Sequence, residues 1–213
     1  MKKTATLSLM FVASLLAAQS KGKEHFSFGF CLGAETQALG IELLSRQDPD
    51  QVYVYPVGRG MGASVGVFAQ KKWWRGWSFK PELVIAYSQN QAVFKTEGTR
   101  RYHFWDVELP LHLMFSDPRR EAAAVRGCIL FGGRLSWNLA NTDQSLLSIA
   151  QERVALDIGL GAEIRLGKCR VRPVFVYSHG MNNIHALGNA PYDWLVGHMV
   201  RDRLSLRVGL RKS

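Results

Sequence analysis

The chain of 213 residues sets 27 Lys and Arg against 17 Asp and Glu, a formal charge of +10, with 47% hydrophobic and only 21% charged residues. That length suits one domain with a full core or one small barrel. No helix carries a basic stripe, so the cationic excess speaks for anionic lipid headgroups or a polar interior packed with cations, and against nucleic acid.

Met1-Lys2-Lys3 is followed by an apolar stretch from Leu7 to Ala18 and by the small residues Ala17-Ala18-Gln19-Ser20. This is the order of a secretory signal peptide, with cleavage after Ala18 or Ser20. The apolar core is too short for a membrane helix, which needs about 20 such residues. Residues 1–20 are therefore expected to be the leader and residues 21–213 the mature domain; losing Lys2 and Lys3 lowers the charge from +10 to +8.

The mature chain then alternates apolar and polar residues in one segment after another, the period of strands with one face apolar. The first runs from Phe26 to Gly33, with Phe26, Phe28, Phe30 and Leu32 opposite Ser27, Gly29, Cys31 and Gly33. A polar connection over 34–60 precedes a glycine-rich strand from Met61 to Gln70; the run Val52 to Val57 is either its upper extension or a separate strand. The third strand, Trp77 to Ser88, contains Pro81, where a lost ladder bond predicts a bulge. The fourth spans Arg101 to Phe115, the fifth Arg126 to Leu139, and the sixth runs unbroken from Val154 to Leu166. Gly167-Lys168 turns into the seventh, Cys169 to Ser178, and the eighth occupies Arg201 to Leu210.

The connections run long, short, long, moderate, long, very short, long, so the long ones share one end of an up-and-down sheet. Aromatic residues gather at both ends: Trp73, Trp74, Trp77, Phe26 and Phe115 at one, Trp105, Trp137 and Tyr177 at the other. Amphipathic rings at two rims mark membrane interfaces. The expected fold is all-β, an eight-stranded antiparallel up-and-down transmembrane β-barrel in the outer membrane of a Gram-negative bacterium. The competing arrangement is a soluble lipocalin-like barrel or sandwich with the apolar faces turned inward.

In the membrane arrangement Lys80, Glu82, Asp106, Glu108, Arg134, Asp157, Glu163, Arg165, Arg172 and Arg207 point into the lumen. Eight strands enclose a space just wide enough for side chains, and buried charges must pair. A plugged, non-conducting barrel follows. Cys31, Cys128 and Cys169 have no paired spacing, and no metal or cofactor motif is present. Ser178-His179, His185 and His198 lie near the last long connection without a spacing that specifies a catalytic site, so no enzymatic activity is expected.

Several blocks, taken in order, resemble the PorT family of outer-membrane barrels from the type IX secretion and gliding apparatus. They are His25 to Gly33, Phe79-Lys80-Pro81-Glu82-Leu83, Val107-Glu108-Leu109-Pro110-Leu111, Gly159-Leu160-Gly161-Ala162-Glu163, and the run from Ser178 to Ile184. The resemblance implies a non-enzymatic accessory role in protein secretion through protein partners, in contact with outer-membrane lipid and lipopolysaccharide. The other expectation is a generic small barrel with a structural, adhesive or ligand-binding role at the surface.

Overall fold

In the computed structural model the described residues are 26–43, 54–56, 58–94, 98–118, 123–139, 146–186, 190 and 192–212. The expected leader lies outside them. Nine strands follow one another: β1 (Phe26–Leu43), β2 (Val54–Pro56), β3 (Gly60–Trp74), β4 (Trp77–Phe94), β5 (Gly98–Ser116), β6 (Val125–Asn138), β7 (Glu152–Leu166), β8 (Cys169–Gly180) and β9 (Val196–Lys212). The eight long ones pair in the order β4-β3-β1-β9-β8-β7-β6-β5, and a further β4–β5 pairing closes the ring. Every pairing is antiparallel. Closure leaves no long sheet edge open to another chain.

The two tightest turns lie at the end where β1 begins and β9 finishes. Arg75-Gly76 joins β3 to β4 and Gly167-Lys168 joins β7 to β8, each with its glycine at positive φ, 81° and 59°. A side chain at those two positions would be strained.

The wall is apolar outside. Phe28, Phe30 and Leu32 of β1 are exposed, as are Leu156, Ile158 and Leu160 of β7, whereas Asp157 among the latter and Glu163 beyond them are buried. A lipocalin-like barrel or sandwich would enclose the aliphatic face, so the observed orientation excludes it.

Strand lengths depart from expectation at the end away from the tight turns, the far mouth. β1 runs on to Leu43, β4 to Phe94, and β9 starts at Val196, where shorter strands and longer connections were expected. The reason is an inversion of the two faces. Along β1 the inward positions are Cys31, Glu35 and Gln37, then Leu39, Ile41 and Leu43, which pack on a cluster containing Phe94, Tyr102, Phe104, Leu147, Ile184 and Met199. The interior is charged in the lower wall and apolar at the far mouth, so a single alternation does not run the length of the strand.

β2 settles the Val52 to Val57 ambiguity. It pairs Val54–Pro56 with Ala92–Phe94 of β4, just past the Met61↔Gln89 pair where β3 joins the same neighbour. It is the upward extension of β3, broken at Gly58, which has φ 63°. The bulge expected at Pro81 is absent. Pro81↔Leu111 and Val84↔Glu108 share one register, and the irregularity falls instead between Lys72 and Trp74. Proline therefore costs ladder bonds here without an inserted residue.

The shorter wall of β6, β7 and β8 is completed at the far mouth by folded connections. Ile184 N donates to Met199 O (2.8 Å), which lays that segment alongside the extended β9. Ala150 N donates to Ile184 O (2.8 Å) and Ala186 N to Ser148 O (3.0 Å), which lays the segment around Ile149 against it in turn. A short 3₁₀ turn, Asp193–Leu195, leads into β9.

Candidate functional site

Charged side chains fill the barrel in tiers. Nearest the tight turns, Glu163 receives Arg126 (2.7 Å), Arg170 (2.7 Å), Arg211 (3.2 Å) and, closer still, Arg172. The next tier centres on His112, whose Nδ1 lies 2.9 Å from Glu82 and whose Nε2 lies 2.8 Å from Asp157; Lys80 joins Glu82 at 3.1 Å. Above it, Arg134 spans Asp157 (Nε, 3.0 Å) and Glu108 (3.2 Å), while Arg203 spans Glu108 (2.5 Å) and Glu35 (2.8 Å). Arg207 reaches Glu108 at 3.4 Å. Topmost, Asp106 holds Arg201 at 3.0 Å and Arg153 closer, and Arg201 also donates to Ser88 Oγ (2.8 Å).

Of the sequence-selected residues, Lys80, Glu82, Asp106, Glu108, Arg134, Asp157, Glu163, Arg172 and Arg207 are buried inside the wall. Arg165 is not: it is exposed, pairs in register with Arg170, and lies two residues before the Gly167-Lys168 turn. There the barrel opens, and no opposite wall is left to enclose a side chain.

Glu35, His112, Arg126, Arg153, Arg170, Arg201, Arg203 and Arg211 complete the tiers without having been singled out. His112, Arg126 and Arg203 share the inward parity of the residues chosen, a signal already present in the alternation. Glu35 and Arg153 fell outside the strand limits expected for β1 and β7, and Arg201 sat at the very edge of β9.

No family model matches the chain, and no curated protein does. Solved structures do. The outer membrane protein OprG from Pseudomonas aeruginosa superposes with a TM-score of 0.52 at 14% identity, over 90% of this chain and 97% of OprG. The outer membrane protein AlkL, determined in lipid bilayers, gives 0.54 at 12% identity, over 92% and 93%. The fold is that of the small outer-membrane β-barrels.

In an outer-membrane barrel the short turns face the periplasm and the long connections face outward, which orients the remaining features. Trp73 and Trp74 are exposed at the turn end, while the rings of Tyr87 and Trp105 meet at a 49° tilt outside the wall nearer the far mouth, centroids 4.9 Å apart. Above that pair, His103 Nδ1 lies 2.8 Å from Tyr87 Oη, and Arg59, Arg100 and Arg101 are exposed.

Adjacent residues on a strand point to opposite faces, and this separates Ser178 from His179. Ser178 is buried in the lumen, whereas His179 stands outside against Asp202 (2.9 Å). His185 is buried in the cap against Asp193 (3.2 Å), and His198 faces Glu42 at 3.9 Å. These side chains do not converge on one another. Among the described residues, no three His, Cys, Asp or Glu side chains gather as metal ligands, and all three cysteines are free thiols.

Asp193 clips the cap. It accepts from Ser148 N and Oγ (2.7 Å each) and from Ala190 N (3.0 Å), with His185 Nε2 at 3.2 Å. Burial pushes its carboxyl up, but these hydrogen bonds outweigh it and hold the group below its ordinary value of 3.8.

Proposed function

We propose that the protein is a sealed surface barrel of the Gram-negative outer membrane, which works by binding at its far rim and neither conducts solutes nor catalyses a reaction. One observation carries this reading: a closed wall oily on its outside surrounds an interior consumed by ion pairs, with an apolar cap above. Burying that outer face in hydrocarbon satisfies the hydrophobic effect, and the filled lumen leaves no continuous water column. The rim supplies the working surface. Cationic Arg59, Arg100 and Arg101 above the Tyr87–Trp105 pair suit phosphate groups of lipopolysaccharide, with the aromatic rings at the headgroup level.

The test is fractionation with electrophoresis. The mature chain should sediment with outer-membrane markers and migrate faster unheated than boiled. Recovery as a detergent-free monomer would refute the reading.

A second reading is the PorT-like accessory role in type IX secretion, acting through protein partners. Its support is the ordered set of sequence blocks from His25 to Ile184. Deleting the gene and assaying secreted cargo separates the two readings: a secretion defect favours the accessory role, and normal secretion leaves the surface barrel.

A further inference from the structure

Where the β7–β8 pairing ends at Ala155↔Gly180, a cavity of about 20 Å³ lies beneath the cap. Its polar lining is Ser136, Arg153, Ser178, Asn182, Arg201 and Arg203. Among the described residues, no carboxylate lines it. Arg153 Nε, Arg201 Nε and Ser178 Oγ have no hydrogen-bond partner, although these residues are only 8%, 6% and 2% exposed. Three buried polar groups without partners around one cavity call for an occupant, because each costs free energy as it stands.

The charges identify the occupant's sign. Arg153 and Arg201 share Asp106, whereas Arg134, Arg203 and Arg207 each reach a second carboxylate besides Glu108, namely Asp157, Glu35 and Glu82. Beside the cavity, two cations therefore share one carboxylate, and a positive charge is left over there. Both guanidiniums rest on the Phe104 ring, Arg201 at 4.7 Å and Arg153 at 5.7 Å from its centroid, which shields them from water on that side. A water molecule in the cavity would leave that surplus positive charge uncompensated, whereas an anion would neutralise it. The volume holds about one water-sized particle, too little for phosphate or sulfate.

We propose that this cavity binds a single monatomic inorganic anion, a halide such as chloride, held by Arg153, Arg201 and Ser178. The halide accepts the three unused donors and supplies the negative charge that Asp106 alone does not. It ties β7, β8 and β9 together beneath the cap, so its presence favours the folded barrel.

The experiment uses the full mature chain in detergent micelles. Crystals grown with bromide should show an anomalous peak within hydrogen-bond distance of Arg153 Nε and Arg201 Nε. In solution the unfolding midpoint should rise with sodium bromide or chloride and stay flat with sodium gluconate at matched ionic strength. Ser178→Ala should reduce that halide-dependent rise. Absence of the peak overturns the proposal. So does a peak without a halide-specific rise in the midpoint, or an equal rise in all three salts.

Discussion

Arg134 has no exposed side-chain surface, and its guanidinium meets both Asp157 and Glu108. Removing one member of a buried ion pair leaves the other charge stranded, which costs about 3–5 kcal/mol. Arg134→Met is expected to lose that much in reversible urea unfolding from lipid vesicles, whereas Arg165→Ala at the open rim should stay within about 0.5 kcal/mol. Asp193 makes a prediction about acid. Its carboxyl is held below 3.8 in the folded protein, so its contribution is present above that pH and is lost as pH falls through the lower folded value. Amide exchange at Ser148 and Ala190, whose N–H groups it accepts, should accelerate in that acidic window, and Asp193→Asn should remove the pH dependence while leaving the barrel strands protected.

Among the elements, β7 alternates most cleanly, with Val154, Leu156, Ile158 and Leu160 outside and Arg153, Asp157 and Glu163 inside. Ile158 lies near its middle, and an arginine facing the bilayer midplane costs about 2–4 kcal/mol. Ile158→Arg should lower urea stability in vesicles by that amount, since the long side chain has no lumen to enter. This strand also shows how much of the fold was legible. Where one face meets oil and the other charge along its whole length, period two reads directly as a strand, and most of the tiered residues follow from parity. The upper parts of β1, β4 and β9 were not legible, because Leu39, Ile41 and Leu43 occupy the same inward parity as Glu35 and Gln37. Alternation detects contrast between faces, and contrast vanishes where the two faces exchange character. The cap was hidden for another reason: Ser148, His185 and Asp193 meet only after four strands have been laid side by side.

At the scale of the whole molecule, the tiers from Glu163 to Asp106 and the apolar cluster around Phe94 and Met199 occupy the interior from one end to the other. Reconstituted protein should therefore give no large, stable single-channel current in planar bilayers; a steady conductance would contradict the sealed barrel. β1, β4, β5 and β9 contain 18, 18, 19 and 17 residues, against the roughly 9–11 a tilted strand uses to cross a bilayer. The surplus is hydrogen-bonded ladder with a dry filling, a stiff turret standing on a greasy base. A visitor landing there meets spacings already set, so little ordering entropy is spent on contact. A protease applied to intact cells should trim the tips and spare the masonry beneath them.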